Sequence, residues 1–98
     1  MKSLVGSKVL VRSAEAGVFF GVLAAQDGNA VQLEHSRRIW YWAGAKTLSQ
    51  LATAGPSRPA ECKIPAALTV THEVRGVCEI IPCTEAGAAA LEAVPAWS

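Results

Sequence analysis

The chain alternates between short runs of apolar residues and polar turns, which is the pattern of a strand-rich domain. Residues 8–12 (KVLVR) and 17–25 (GVFFGVLAA) are rich in Val and Phe and are separated by a short polar segment, so both are predicted strands. The second run is apolar on both faces, which is typical of a central strand or of a strand at a subunit interface. The Asp27-Gly28 pair that follows predicts a hairpin, because Gly tolerates a positive φ.

The continuation of the third predicted strand, residues 30–36, matters most for function. Apolar and polar residues alternate cleanly within it, as they do in a half-buried strand. If the strand continues without a break, Arg38, Trp40 and Trp42 stand together on the solvent side. A turn within residues 35–38 reverses this parity, and the sequence leaves both arrangements open.

The second half of the chain predicts two short helices and two further strands. Thr47-Leu48-Ser49-Gln50 has the pattern of a capping box, and Gly55-Pro56 ends the helix that it starts. Residues 68–75 and 77–82 are predicted strands, and Thr84 caps a helix from Glu85 to about Val94. The side chains expected to point inward from the first of these strands are Leu68, Val70, His72 and Val74.

Together these elements predict an α+β fold in one domain, residues 1–98. We expect a small, strongly bent antiparallel sheet or an SH3-like or Sm-like barrel of about five to six strands, with two short helices. The segment GVFFGVLAAQDGNAVQL is similar to the bent strands of such barrels, over about a quarter of the chain. A chain of 98 residues has room for one core, and a modest core can form without disulfides or metal.

Composition narrows the class of protein. The chain is 51% hydrophobic and 17% charged, against about 25% charged in an average domain, so apolar surface shared with a second copy is expected and a homo-oligomer is predicted. The net charge of +1 argues against bulk DNA or RNA binding. The longest apolar run is too short for a membrane helix, the N-terminal segment has no uninterrupted apolar stretch of a signal peptide, and the cysteine count is odd. These features predict a cytoplasmic protein without a membrane partner.

The residue types of most catalytic sites do not converge in this sequence. The candidate metal ligands are scattered without paired spacing, so neither a metal nor a cofactor is predicted; they are His35, His72, Cys62, Cys78 and Cys83. Cys83 precedes a helix start, which can lower the pKa of a thiol, but no base is identifiable beside it. No phosphate-binding loop or nucleophile motif occurs, so a non-enzymatic protein is predicted.

The stretch RRIWYW is the candidate site. Guanidinium groups bind phosphate and stack on aromatic rings, while Trp offers a platform for a nucleobase. The alternative is that the tryptophans fill a core or a subunit interface, where aromatic residues and Arg are also enriched. The predicted ligand-binding residues are Arg37 and Arg38 for phosphate, Trp40 and Trp42 for the base, Thr47 and Ser49 as hydrogen-bonding groups, and Arg12 from a second strand.

Three segments resemble, in order and spacing, a family of small bacteriophage and prophage proteins of unknown function: VRSAEAG, SRRIWYWAGAKTLSQLA and EIIPCTEAGAAALEAVPAW. Many members of that family carry His where this chain has Phe19. The resemblance implies a phage protein in the host cytoplasm, and with RRIWYW it suggests a sponge that sequesters a nucleotide-type immune signal, a cyclic nucleotide or an ADP-ribose derivative. The alternatives are an Sm-like or SH3-like oligomeric module that binds RNA or a host protein, and a purely structural phage accessory protein.

Overall fold

Five antiparallel strands form one sheet in the computed structural model, which describes residues 3–98. The strands are β1 (Lys8–Ser13), β2 (Gly17–Asp27), β3 (Ala30–Ile39), β4 (His72–Val74) and β5 (Val77–Pro82). The helices are α1 (Leu48–Ala54) and α2 (Glu85–Ala93), with a 3₁₀ turn at Pro59–Glu61. The sheet order is β4-β3-β2-β1-β5, so the predicted α+β class with two short helices is confirmed.

The sheet curls, but it does not close into a barrel. β4 and β5 lie at opposite edges of the sheet, although only Arg75 and Gly76 join them in the chain. Gly76 has a φ of +69°, which a glycine adopts without strain, and the Ser13 hydroxyl donates to the Arg75 carbonyl at 2.8 Å. The short link brings the two edges towards each other, yet no strand pairing joins β4 to β5 within residues 3–98.

Both faces of the sheet are covered by apolar residues. Alternate residues of β1 separate to the two sides, Leu10 to one and Val9 with Val11 to the other. The helix-side cluster packs the sheet against α1 and α2 and contains Leu10, Phe20, Ile39, Leu51, Ala52, Cys62, Ile64, Ala88, Leu91 and Val94. The inner cluster lies inside the curl and contains Val9, Val11, Phe19, Leu23, Val31, Leu33 and Val74. Each such side chain, fully buried, contributes roughly 1.5–3 kcal/mol, which makes the two clusters the main source of stability.

The predicted helix caps are present at both helices. The Thr47 hydroxyl accepts the N–H of Gln50 at 3.1 Å, and the Thr84 hydroxyl accepts the N–H of Gly87 at 2.9 Å. The Gln50 side chain accepts from the N–H of Lys46, one residue earlier than a reciprocal capping box predicts. Gly87 packs so closely on α1 that an added Cβ would overlap the carbonyl of Ala52.

The predicted strand over residues 68–75 is shorter than expected. Only His72–Val74 pairs with β3, and Leu68 and Val70 are exposed rather than inward. The segment before His72 contacts β3 through the Leu68 N–H, which donates to the Ser36 carbonyl at 2.9 Å. Alternation of apolar and polar residues does not form a strand by itself. The segment also needs a neighbouring strand to pair with, and only His72–Val74 has one.

Candidate functional site

A bulge in β3 decides the parity of the RRIWYW stretch. Phe20 pairs with Arg37 and Val22 pairs with Glu34, so β3 uses three steps where β2 uses two. The inserted residue is His35, whose φ is +54°, a left-handed conformation that His adopts more readily than most side chains. The bulge therefore reverses the alternation, and the side chains after it point to the faces opposite to those of an unbroken strand.

Arg37 points to the helix side and is buried, with 6% of its surface exposed. Its three guanidinium nitrogens donate to the carbonyls of Pro65 (2.8 Å), Leu91 (2.9 Å) and Ile64 (2.8 Å). Burial lowers the pKa of Arg37, because a desolvated charge is less stable. Its donors are engaged by the connection before β4 and by the end of α2, which gives Arg37 a structural place in the fold.

Arg38 points to the opposite face, beside the inner cluster. Its Nη1 donates to the Ala16 carbonyl, and its guanidinium carbon lies 4.4 Å from the centroid of the Phe19 ring. The same carbon lies 5.3 Å from the Trp40 ring, within cation–π distance. No salt bridge joins Arg38 to a carboxylate in the part of the chain that the structure describes. The guanidinium is thus held in place while its charge has no anionic partner there.

Arg38 and Trp40 line one pocket of about 240 Å³. The Trp40 side chain is prominent on the surface, with the residue 63% exposed. Its backbone is fixed, because the Trp40 N–H donates to the Lys63 carbonyl at 3.0 Å. The residues that line this pocket are Ser36, Arg38, Trp40, Pro65, Ala66, Leu68 and His72. A ligand that carries a planar ring and an anionic group could therefore contact the Trp40 indole and the Arg38 guanidinium in the same pocket.

Two residues of the pocket, Ser36 and His72, were not predicted as site residues. The Ser36 Oγ lies 2.8 Å from His72 Nδ1, and the His72 ring meets the Phe19 ring edge-on at 5.1 Å. Burial and the charge of Arg38 both lower the pKa of His72. The alternation of the sequence placed His72 inward, but no sequence signal distinguishes Ser36 from other polar residues of β3.

The other predicted site residues lie apart from this pocket. Trp42 packs against the helix-side cluster, and its Nε1 donates to the Ala45 carbonyl at 3.1 Å. The Thr47 hydroxyl is used as the cap of α1, and Ser49 is an exposed residue of that helix. The Arg12 Nε donates to Glu79 at 3.0 Å in a surface ion pair between β1 and β5. The structure thus brings together Arg38 and Trp40 of the predicted set.

The cysteines and histidines do not gather into a metal site. Within residues 3–98, no group of three or more His, Cys, Asp or Glu side chains is placed to hold a metal ion. Cys83 precedes α2, but burial raises the pKa of its thiol to about 11. Burial therefore keeps this thiol protonated at neutral pH, contrary to the lowering expected beside a helix start.

Comparison with known proteins places the chain in a family. The family described as "Domain of unknown function (DUF6948)" matches residues 6–91. The chain belongs to this family. The matched range contains all five strands and every residue that lines the Arg38–Trp40 pocket of this DUF6948 member. No curated protein and no solved structure matches the chain.

Proposed function

We propose that this DUF6948 member binds a small nucleotide-type ligand in the Arg38–Trp40 pocket and sequesters it without converting it. The observation that carries the proposal is the convergence of a guanidinium and an exposed indole, 5.3 Å apart, on one pocket. Nucleotides combine a phosphate with an aromatic base, and these two protein groups bind those two parts.

Arg38 supplies the phosphate contact in this proposal. The Ala16 carbonyl and the Phe19 ring hold its guanidinium before any ligand arrives, so little conformational entropy is lost on binding. One face of the group rests on a fully buried ring, where water does not screen the charge as it does in bulk. An anion at this position gains charge-assisted hydrogen bonds from N–H groups that the fold leaves free.

Trp40 supplies the platform for the base. Stacking of a base on an aromatic side chain contributes roughly 1–3 kcal/mol, and it tolerates different bases because each has a π-face. The pocket volume of about 240 Å³ is below the usual range for a drug-sized ligand, roughly 300–1,000 Å³. We therefore expect one base or one phosphate-bearing end to enter, while the rest of a cyclic nucleotide or ADP-ribose derivative lies along Trp40.

The pocket favours binding over hydrolysis. Ser36 and His72 are hydrogen-bonded, as a nucleophile and its base are in many hydrolases. However, Ser36 is 1% exposed, so its hydroxyl oxygen is not accessible to attack a ligand. No salt bridge among the described residues joins the His72 ring to a carboxylate, so the group that orients the base in such a mechanism is missing there.

The proposal extends to the role of the captured ligand. The resemblance to phage and prophage proteins suggests a sponge in the host cytoplasm that withdraws a nucleotide immune signal from its receptor. The sponge is proposed to act as a homo-oligomer, since several large apolar side chains are exposed, among them Tyr41, Val70 and Trp97. No helix among the described residues is long and apolar enough to cross a membrane.

Isothermal titration calorimetry tests the proposal with a panel of 3′,5′-cyclic nucleotides, cyclic dinucleotides, ADP-ribose and cyclic ADP-ribose. Binding of at least one of them is expected, with Arg38→Ala and Trp40→Ala each weakening it by about tenfold or more. The matched controls are Arg75→Ala, whose side chain is 83% exposed, and Trp97→Ala, an exposed tryptophan outside the pocket. Both controls are expected to bind as the wild type does.

Two further measurements separate the proposal from its alternatives. Ligand released by denaturing the complex is expected to be chemically intact by chromatography, whereas a cleaved product would indicate an enzyme. A gel shift on single-stranded RNA with a steep salt dependence would favour the RNA-binding alternative. Failure of the whole panel to bind at about 1 mM, or binding unchanged in both pocket variants, would refute the proposed function.

A further inference from the structure

His72 and Ser36 form a hydrogen-bonded pair in the wall of the pocket, and the proposed contacts with phosphate and base use neither of them. Ser36 Oγ lies 2.8 Å from His72 Nδ1. A hydroxyl at this distance either donates to an unprotonated ring nitrogen or accepts from a protonated one. The choice between these decides what the other ring nitrogen, Nε2, offers to a ligand.

The surroundings of Ser36 select one tautomer of His72. Among residues 3–98, the Ser36 Oγ has no hydrogen-bond partner other than His72. If Nδ1 carried the proton, the buried Ser36 hydroxyl would have no acceptor for its own hydrogen, which is unfavourable. Ser36 is therefore the donor, and the neutral ring carries its proton on Nε2. Burial and the charge of Arg38 lower the pKa of His72, which favours this neutral form at pH 7.

The exposed polar side-chain groups of the pocket are then all hydrogen-bond donors. The Arg38 guanidinium has no acceptor, and the indole of Trp40 has only an N–H. The remaining side chains of the wall are apolar, namely Pro65, Ala66 and Leu68. The Ser36 oxygen keeps acceptor lone pairs when its hydrogen is donated to His72, but Ser36 is 1% exposed, so no exposed side chain of the lining offers an acceptor. A ligand that satisfies this wall must bring acceptors of its own.

We propose that His72 determines the specificity of this pocket by donating its Nε2–H to an acceptor on the ring of the ligand, while Arg38 binds the anionic group. The inference rests on the proposed function and narrows its ligand class. The preferred ligand is an aromatic anion whose ring edge carries an exocyclic oxygen at the position that meets His72. An amino group at that position places two donors against each other and leaves both unpaired.

Two matched pairs of nucleotides test the preference by calorimetry, UMP against CMP and IMP against AMP. Within each pair, an exocyclic oxygen is replaced by an amino group, and the neighbouring ring N–H becomes an unprotonated nitrogen. The wild type is expected to bind the oxygen-bearing member of at least one pair about tenfold more tightly. His72→Leu is expected to remove the preference, and Arg38→Ala to weaken both members alike while keeping it. Ser36→Ala serves as a second variant, in which the tautomer is no longer fixed and the preference is expected to shrink.

Nitrogen-15 NMR of the imidazole rings tests the tautomer without any ligand. His72 is expected to show an unprotonated Nδ1 and a protonated Nε2 at pH 7, and Ser36→Ala to give a mixture of tautomers. His35, the other histidine of the chain, is exposed and provides the reference; His35→Asn assigns its signals and suits the left-handed backbone.

The outcomes distinguish this inference from the proposed function. If neither these four nucleotides nor any ligand of the first panel binds at about 1 mM, both the proposed function and the role of His72 are overturned. If a ligand of the first panel binds but none of the four nucleotides does, only the role of His72 is overturned. If the nucleotides bind but the preference persists in His72→Leu, or if NMR shows the proton on Nδ1, only the role of His72 is overturned. A preference that is lost in His72→Leu and reduced in Ser36→Ala, while Arg38→Ala retains it, supports the inference.

Discussion

Replacing Arg37 by methionine is expected to destabilise the fold by about 3 kcal/mol. The Pro65 carbonyl has no other donor among the described residues, so losing its only partner costs roughly 1–3 kcal/mol. The carbonyls of Ile64 and Leu91 also accept backbone N–H groups, so each loses one of two bonds, about 1 kcal/mol. Together these losses come to roughly 3–5 kcal/mol. Methionine fills most of the volume, and removing a buried charge recovers part of the desolvation cost, so the net loss is expected at the lower end, about 3 kcal/mol.

Urea unfolding followed by circular dichroism and Trp fluorescence measures this loss, with two matched arginine variants beside it. Arg38→Met loses one carbonyl bond and the contact with Phe19, so we expect a cost of about 1 kcal/mol. Arg75→Met changes a side chain that is 83% exposed and is expected to stay within about 0.5 kcal/mol of the wild type. The order of the three variants tests the division of the Arg-Arg pair between core and pocket.

The stabilities of the Arg37 and Arg38 variants can also contradict the placement of the two side chains. A loss below about 1 kcal/mol for Arg37→Met, or a larger loss for Arg38→Met, would contradict the assignment of Arg37 to the core and Arg38 to the pocket. Ligand affinity gives a second check, because the folded fraction of Arg37→Met is expected to bind as the wild type does. A selective loss of binding at unchanged stability would place Arg37 in the site instead.

Three further expectations follow from buried groups. Gly87→Ala is expected to destabilise the fold by about 2 kcal/mol, although alanine favours helices by roughly 1 kcal/mol, because its methyl group would overlap α1; a variant more stable in urea would contradict the close packing. Burial raises the pKa of Cys83 to about 11. We therefore expect Cys83 to react with iodoacetamide at pH 8 at least about a hundredfold more slowly than the exposed Cys78. Similar reaction rates of the two thiols, measured by mass spectrometry, would contradict this. Burial and Arg38 lower the pKa of His72, so the unfolded chain takes up the proton first. The resulting stability is complete above the unfolded-state pKa of about 6.5 and is lost as the pH falls through the lower folded-state value. Unfolding free energies between pH 7.5 and 5 should therefore fall more steeply for the wild type than for His72→Gln, and equal slopes would contradict the shift.

Features that depend on neighbouring residues could be predicted from the sequence. The Asp27-Gly28 hairpin, the alternation of β1 and the Thr47 and Thr84 caps each follow from local backbone geometry, and the structure has all of them. The class of fold follows from these elements in turn. Local rules were not enough for residues 68–71, because a strand also needs a partner at the right place in the sheet, and its position is set by distant parts of the chain.

The pocket depends on contacts between residues far apart in the chain, and local sequence patterns do not predict such contacts. His72 reaches Ser36 across 36 positions of the chain, and the Arg37 guanidinium reaches Leu91 across 54. The sequence allowed a turn within residues 35–38 but could not choose it over an unbroken strand, because His at a positive φ is a weaker signal than Gly. The types of residue in the candidate site could therefore be predicted from the sequence. Which of these residues lie together in the pocket could not.

The single inserted residue in β3 determines which arginine serves the pocket. Neighbouring residues on a strand point to opposite faces, so an Arg-Arg pair in β3 always sends one guanidinium to each side of the sheet. Without the bulge, Arg38 would face the helix side and Arg37 would lie beside the inner cluster. With His35 inserted, Arg37 donates to the Leu91 carbonyl near the end of α2 and to two carbonyls of the connection before β4. Arg38 then lies within cation–π distance of Phe19 and Trp40. The backbone conformation at His35 thus joins the stability of the fold to the construction of the pocket, because the same reversal of parity provides both.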